Sequence, residues 1–330
     1  MRLATVPGGP RPRDGRLALV SEDGATMRVA DGLSMRDALD GGLDEGAIRR
    51  ALGPEAPFDP AAAMAPLPRA AGFLDGSAYV NHVALVRRAR GAEMPPSFWH
   101  DPLMYEGCAA FTPPRAPIPA APGWGADCEA EVAVITGDVP MGASEDEAAA
   151  AIRLVTLLDD VSLRELIPGE LAKGFGFVQS KPPSAMAPVA VTPDELPGWD
   201  GRRLSGTLRV EVDGAPLGRV EAGEDMTFDF GRLVAHAART RPLGAGTVVG
   251  SGTVSNRGAD GGPGRTVAEG GRGYACIAEQ RTVEAIRHGA PATPFLAPGS
   301  RVAIWMEGAP FGVIEQVVVP WEGSAPSRLP

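Results

Sequence analysis

The chain has 330 residues, 44% of them hydrophobic, and a formal net charge of −10 from 31 Lys and Arg against 41 Asp and Glu. This length predicts about two domains, or one large domain with a small appendage, and the acidic charge argues against nucleic acid and anionic membrane surfaces as partners. The three cysteines lack metal-type spacing, and no signal peptide or membrane-spanning stretch is visible, so we expect a cytoplasmic protein without a disulfide framework.

The first 66 residues are predicted to form a small, β-rich N-terminal domain. Residues 17–20 and 27–30 are strand candidates separated by an Asp-Gly turn signal. Ser34 is the candidate cap of a helix that follows it, and several prolines then interrupt the chain as far as residue 68. We therefore place a domain boundary after residue 66, with a larger second domain over residues 67–330.

The second domain is predicted to be α+β and rich in strands, because the chain contains 43 Gly and 33 Pro and its strand candidates outnumber its helices. Ser144 followed by Glu147 is a capping box, which predicts a short helix. Segments 75–82, 97–119 and 256–273 are predicted to be turns or loops, and His288 is expected in a charged loop. The other candidates are helices over 83–90 and 229–239, a hairpin of 207–212 with 217–220, and strands over 132–135, 154–158, 247–255, 302–305 and 313–319.

Two glutamates stand at the head of the strand candidate 132–135. Glu129 and Glu131 are two residues apart, so in a strand their side chains point to the same face. Asp160 ends the next predicted strand, where it can meet them. Like charges this close either raise each other's pKa or require a cation between them, and oxygen-only ligation favours Mg²⁺ or Ca²⁺. An exposed strand face with two glutamates is the commoner explanation of such spacing, so the spacing alone does not establish a metal site.

Four motifs occur in order along the second domain: Glu129-x-Glu131, Asp160-Val-Ser-x-Arg164, Lys173-Gly-Phe-Gly176 and Gly252-Thr-Val-Ser255. This order resembles the fumarylacetoacetate hydrolase family over about residues 70–320. The resemblance implies a rolled, mixed β-sheet catalytic domain preceded by a small N-terminal β domain, which agrees with the boundary placed after residue 66.

The resemblance also implies a metal site and a general base. Family members hold Mg²⁺ or Ca²⁺ with carboxylates that match Glu129, Glu131 and Asp160. Fumarylacetoacetases add an aspartate seven residues before a catalytic histidine, and Asp75 and His82 reproduce that spacing. We therefore predict Asp75 as a fourth metal ligand and His82 as the general base.

Further site residues follow from the same resemblance. Lys173 and Arg164 are the predicted catalytic cations, and Glu269 is the nearest candidate for the glutamate that orients the histidine. Tyr105 and Thr253 match substrate-binding positions. The family has another arginine after the histidine, for which the candidates here are Arg87, Arg88 and Arg90. We assign Arg88.

The activity that the resemblance implies is metal-dependent hydrolysis of a carbon–carbon bond in a 1,3-diketo acid such as fumarylacetoacetate, as in the degradation of tyrosine and other aromatic compounds. The glutamine that contacts substrate in fumarylacetoacetases is Ile167 here, which leaves the substrate open. The alternatives are a hydratase, decarboxylase or isomerase of a 2-oxo acid on the same metal site, or a non-catalytic binding protein of the same fold. Dimers are common in the family, so we expect a homodimer that binds a small molecule and neither nucleic acid nor membrane.

Overall fold

The computed structural model describes residues 1–89 and 91–323, and strands outnumber helices in that part of the chain. The helices are α1 (Met35–Asp40), α2 (Glu45–Ala51), α3 (Val80–Ala89), α4 (Glu145–Ala150), α5 (Ile167–Leu171), α6 (Phe230–Ala237) and α7 (Ile277–His288), with 3₁₀ turns at Pro96–Trp99 and Pro193–Glu195. The strands are β1 (Arg2–Val6), β2 (Arg16–Val20), β3 (Thr26–Ala30), β4 (Leu52–Pro57), β5 (Gly72–Gly76), β6 (Met104–Glu106), β7 (Ile118–Ala120), β8 (Ala126–Asp127), β9 (Ala130–Thr136), β10 (Ile152–Asp159), β11 (Ser162–Leu163), β12 (Ala185–Met186), β13 (Ala190–Val191), β14 (Thr207–Val212), β15 (Ala215–Glu221), β16 (Thr247–Gly250), β17 (Arg301–Met306) and β18 (Ile314–Pro320). Within the described residues, no helix combines the length and the apolar character that crossing a bilayer requires.

These strands form one large mixed sheet, one five-stranded sheet and one short pair. The order in the large sheet is β4-β3-β2-β1-β13-β10-β9-β16-β5-β6, and β12 also pairs with β10. The five-stranded sheet runs β15-β14-β17-β18-β7, and β8 pairs with β11. The β16–β5 and β18–β7 pairs are parallel and the others are antiparallel. The strand-rich α+β fold class is therefore confirmed.

The N-terminal strands continue the large sheet. Strand β1 pairs with β13, so that Arg2 lies opposite Val191. Leu17 and Met35 belong to the same apolar cluster as Ile135 of the central strand β9. The N-terminal segment thus packs on the same core as the rest of the chain, and the division after residue 66 stays a prediction.

Local sequence signals predicted several elements correctly. Ser34 and Ser144 both complete capping boxes, at α1 and at α4. Asp213 and Gly214 have positive φ angles of 53° and 77°, the geometry of a two-residue I′ turn, and they join β14 to β15. Each of these signals acts over a few residues, which explains why the sequence alone reveals it.

Other segments differ from the prediction. Strand β4 contains Pro54 and Pro57, which its place at the edge of the sheet allows because an edge strand need not donate every N–H group. Asp75 lies on strand β5 rather than in a turn, and Tyr105 lies on β6 rather than in a loop. His288, predicted to lie in a charged loop, is instead the last residue of helix α7, which Gly289 ends with a φ of 84°.

Alternation along the central strands places acidic side chains on one face of the sheet. Ile135 of β9, Leu158 of β10 and Phe73 of β5 all belong to one apolar cluster. Side chains of a strand share a face when they are an even number of residues apart. Glu131, Asp160 and Asp75 lie an even number of residues from Ile135, Leu158 and Phe73, respectively. These three acidic side chains therefore lie on the same face of the sheet, at one end of the apolar cluster.

Candidate active site

Three buried carboxylates from different strands converge at this end of the sheet. Asp75 lies on β5, Glu131 on β9, and Asp160 directly follows β10. One oxygen atom from each lies within 4.8 Å of the others. Strand β16 lies between β5 and β9 in the sheet, so Asp75 and Glu131 approach each other across it.

This crossing requires glycine at the end of β16. Gly250 pairs with Asp75 on one side and with Ala133 on the other. A Cβ atom at Gly250 would lie 2.8 Å from Glu131 Oε2, and closer still to the Asp75 carboxylate. Two residues later Gly252 donates its N–H to Asp75 Oδ1 at 3.0 Å, from a backbone with a φ of +73°. The Gly-Ser-Gly sequence at the end of β16 therefore makes room for the carboxylates and orients one of them.

The carboxylates fit a hard divalent cation. In the described part of the chain, no amide, hydroxyl or cationic donor reaches either oxygen of Glu131, which is fully buried. Burial, and then the charges of Asp75 and Asp160, raise the pKa of Glu131 well above its usual range. Burial and the charge of Asp160 raise the pKa of Asp75 to about 8. A cation among these oxygen atoms would remove the repulsion and supply the missing partner, and oxygen donors suit Mg²⁺ or Ca²⁺.

Glu129 lies beside this triad, and we call the four residues together the acidic cluster. Two cations contact Glu129. Lys181 Nζ contacts Glu129 Oε2 at 2.6 Å and Asp160 Oδ2 at 2.5 Å. Arg164 Nη2 lies 2.5 Å from Glu129 Oε1, but among the described residues this buried nitrogen makes no well-aligned hydrogen bond, so the contact is an ion pair. Burial alone would raise the pKa of Glu129, yet the charges of Arg164 and Lys181 hold it well below its usual range.

Asp160 also accepts hydrogen bonds from two hydroxyl groups. Tyr105 donates to Asp160 Oδ2 at 2.5 Å, and Ser184 donates to Asp160 Oδ1 at 2.6 Å. Burial and the Asp160 charge raise the pKa of Tyr105 well above its usual range, so the phenol keeps its proton. The Tyr105 ring packs edge-on against Phe177, with the ring centroids 5.1 Å apart. Tyr105 therefore joins the polar cluster to an aromatic side chain beside it.

A histidine–glutamate pair lies next to the cluster. His82 Nδ1 of α3 is 2.6 Å from Glu279 Oε2 of α7. Ser255 donates to the other oxygen of Glu279 at 2.9 Å, and Asn81 donates to Ser255 Oγ at 2.7 Å. A carboxylate oxygen accepts, so Nδ1 carries the proton and the Nε2 lone pair is left for chemistry. A protonated His82 would lower the pKa of Glu129 further, after the effects of burial, Arg164 and Lys181, which places the imidazole within electrostatic reach of Glu129.

The structure brings most of the predicted site residues together and leaves three of them exposed. Those at or beside the cluster are Asp75, His82, Tyr105, Glu129, Glu131, Asp160 and Arg164. Thr253 is buried in the turn after β16, two residues before the Ser255 that holds Glu279. The others are exposed: Lys173 follows α5, Arg88 lies near the end of α3, and Glu269 bonds to Thr266 in the glycine-rich loop. Arg90 lies outside the described residues.

Two residues that the sequence analysis did not predict occupy the positions expected for the catalytic lysine and for the glutamate that orients the histidine. Lys181, not Lys173, is the lysine of the cluster, because β12 pairs with β10 and draws the preceding residues toward Asp160. Glu279, not Glu269, faces the histidine, because it lies on the buried side of α7 with Val283. The stop signal of Gly289 after His288 indicates this helix in the sequence. For Lys181 we find no comparable local signal.

The comparisons with known proteins identify the family and the fold of this chain. The sequence profile of the fumarylacetoacetate (FAA) hydrolase C-terminal family matches residues 72–319, whereas no curated protein matches the chain. Similar solved structures are a fumarylacetoacetate hydrolase from psychrophilic Exiguobacterium antarcticum (16% identity, TM-score 0.68), a maleylpyruvate hydrolase from Sphingobium sp. SYK-6 in complex with manganese(II) ion and pyruvate (18%, 0.61) and a 5-carboxymethyl-2-hydroxymuconate delta-isomerase from Mycobacterium smegmatis (19%, 0.59). Each comparison covers 97% of this chain and 99% of the other. These likenesses show the fold, and the family match covers more than half of the sequence, so this chain belongs to the fumarylacetoacetate hydrolase family of enzymes.

Proposed function

We propose that this protein is a hydrolase that cleaves a carbon–carbon bond of a 1,3-diketo acid of the fumarylacetoacetate type. The observation that carries the proposal is the contact of His82 Nδ1 with the buried Glu279 carboxylate at 2.6 Å, beside a cluster of four acidic residues. A histidine oriented through one nitrogen presents the other as a general base. The acidic cluster offers a place for the ion that such substrates need at their oxygen atoms.

Asp75, Glu131 and Asp160, with Glu129 beside them, would hold that ion, and we propose Mg²⁺ or Ca²⁺ as the ion used. The maleylpyruvate hydrolase neighbour was solved with manganese(II), so Mn²⁺ belongs in the same test. When bound, a divalent ion supplies Lewis-acid polarisation of a carbonyl group. The unpaired oxygens of Glu131 support this assignment.

In the proposed reaction, His82 Nε2 takes a proton from water while the water oxygen bonds to a ketone carbon of the substrate. The bond from that carbon to the carbon between the two carbonyl groups then breaks. The electron pair stays on the departing carbon, which takes up the proton that His82 Nε2 removed from water, so that two acids leave and the imidazole is neutral again. Glu279 holds the imidazole in the right tautomer and stabilises its protonated form.

The cationic and hydroxyl groups of the chain bind and orient the substrate in this proposal. Arg164, whose Nη2 pairs with Glu129 Oε1, supplies the positive charge that faces a substrate carboxylate or oxyanion beside Glu129. Lys181 balances the charges of Glu129 and Asp160 at the same edge. Tyr105 and Thr253 remain our proposed hydroxyl donors to the substrate. The exposed positions of Lys173, Glu269 and Arg88 give no support to their predicted roles.

The test is turnover by the purified protein with Mg²⁺, Ca²⁺ or Mn²⁺ on acylpyruvates, fumarylacetoacetate and oxaloacetate, with the product acids quantified by mass spectrometry. We expect two acids per diketo acid consumed, and loss of nearly all turnover in His82→Ala. His236→Ala is the matched control, because His236 faces Asp101 at the surface at 3.6 Å and should leave turnover unchanged. Hydrolase turnover that survives in His82→Ala would contradict the base assignment, and decarboxylation or isomerisation without hydrolysis would favour the alternative reactions.

We also propose that the protein is a homodimer, as the family resemblance implies. Light scattering coupled to size-exclusion chromatography should then give twice the 34.1 kDa mass of the chain. A mass equal to one chain across the accessible concentrations would refute this proposal.

A further inference from the structure

Asp127 lies between the two halves of the candidate site and contacts both. Its Oδ1 accepts the backbone N–H of Ile277 at 2.8 Å, and its Oδ2 accepts that of Ala278 at 3.0 Å. Oδ2 also accepts from Arg164 Nε at 2.9 Å. Asp127 is completely buried, and these donors satisfy both of its oxygens.

On one side, Asp127 fixes the start of α7. The first turn of this helix has free N–H groups, and a carboxylate there is stabilised by those groups and by the helix dipole. The cap from within the sequence is weak, because Cys276 offers only a sulfur atom to the Glu279 N–H at 3.3 Å. The stronger partner of this turn is thus Asp127, 150 residues earlier in the chain than Ile277. Glu279, which orients His82, stands in the same turn.

On the other side, Asp127 fixes the arginine that faces the acidic cluster. Asp127 of β8 pairs with Ser162 of β11, and Arg164 comes two residues after Ser162. The guanidinium group reaches back to Asp127 with Nε and forward to Glu129 Oε1 with Nη2, at 2.5 Å. One carboxylate therefore joins the helix that carries Glu279 to the cation that holds Glu129.

We propose that Asp127 is a positioning residue that sets the His82–Glu279 pair at its working distance from the acidic cluster. The role rests on the proposed function, since Asp127 acts through the general base rather than on the substrate. A purely structural aspartate would stabilise the fold without any special dependence on Glu279. The two roles therefore differ in a double-mutant cycle.

Asp127→Asn and Asp127→Ser are the test variants, because each keeps one oxygen that can accept from a helix N–H group, but neither keeps the second acceptor or the charge that pairs with Arg164. Asp229→Asn is the matched control: Asp229 caps α6 through the Arg232 N–H at 2.9 Å and faces Arg202 at 3.6 Å, and it caps a helix that carries neither member of the His82–Glu279 pair. Each variant is assayed well below its melting temperature.

We expect Asp127→Asn and Asp127→Ser to lower kcat by about tenfold to a hundredfold, the loss typical of a small misplacement of a catalytic group. KM should change by less than about threefold, because no proposed substrate contact is itself replaced and Arg164 keeps its ion pair with Glu129. In a Glu279→Gln background, Asp127→Asn should cost less than about threefold, since the group it positions is already disabled. Equal losses of kcat in the two backgrounds, or an equal loss in Asp229→Asn, would overturn the proposal.

Hydrogen exchange tests the same link without any substrate. The amides of Ile277 and Ala278 should exchange faster in both Asp127 variants than in the wild type, and Asp229→Asn should leave them unchanged. Unchanged exchange in both Asp127 variants would overturn the positioning role. A wild-type protein that cleaves no member of the substrate panel would instead refute the proposed function, so the two failures are distinguishable.

Discussion

Replacing Lys181 by methionine tests whether Lys181, rather than the Lys173 of the sequence motif, is the lysine that stabilises the acidic cluster. The Lys181 side chain is 7% exposed and contacts Glu129 at 2.6 Å and Asp160 at 2.5 Å. Methionine has a similar length, so Lys181→Met removes the charge and little packing. Lys173→Met is the matched control, because Lys173 is exposed.

The expected loss of stability follows from these contacts. Burial would lower the pKa of Lys181, but the charges of Asp160 and Glu129 raise it, so attraction exceeds the desolvation penalty. Breaking a buried ion pair by removing one partner costs about 3–5 kcal/mol. Glu129 keeps Arg164, and Asp160 keeps its two hydroxyl donors, so we expect the lower end of that range. At the exposed Lys173, methionine should change stability by about 0.5 kcal/mol or less.

The assay is thermal unfolding of the metal-free protein, followed by circular dichroism. Lys181→Met should melt roughly 5 °C or more below the wild type, whereas Lys173→Met should melt at the same temperature as the wild type. Saturating Mg²⁺ or Ca²⁺ should reduce the deficit, because a cation among the carboxylates replaces part of the lost charge. If Lys181→Met melts with the wild type, or if Lys173→Met loses as much, the assignment of Lys181 to the cluster is wrong.

Three further predictions follow from the cluster and from a distant loop. Gly250→Ala should abolish binding of divalent ions in calorimetry, because its Cβ would press on Asp75, whereas Gly244→Ala, with only an ordinary contact to a neighbouring methyl group, should bind normally. Removal of bound ion by EDTA should lower the melting temperature, since an ion at a hundred times its Kd stabilises by about 2.7 kcal/mol; an unchanged melting curve would contradict the metal site. Burial would raise the pKa of Glu284, but hydrogen bonds from Thr293 and the neighbouring amide lower it to about 2. A carboxyl whose pKa is lowered on folding stabilises the protein at pH values above its unfolded pKa of about 4.3, and this stabilisation is lost as the pH falls toward the folded pKa. The melting-temperature gap between wild type and Glu284→Gln should therefore shrink from pH 7 to pH 3. A constant gap would refute this prediction.

Much of the fold and part of the site could be predicted from short-range patterns. The spacing of Glu129 and Glu131 predicts that both point to one face of a strand. The structure places Glu131 on β9, among the three converging carboxylates, whereas Glu129 precedes that strand and is joined to Asp160 through Lys181. The capping serines and the Asp-Gly turn also act within a few residues and were predicted correctly. The family was identified from motif order, and its profile matches residues 72–319.

What the sequence by itself determined was which residues could carry chemistry: the acidic pair, the aspartate after the next strand, and the aspartate–histidine spacing. Only the tertiary structure decided their partners. His82 meets Glu279 across 197 residues, and Lys181 meets Glu129 across 52, through strand pairing and helix packing. Lys173 matched a local motif but lies on an exposed loop, because no strand draws it toward the cluster. A local pattern reports the face on which a side chain lies, whereas the identity of its neighbour depends on which distant elements the core packs together.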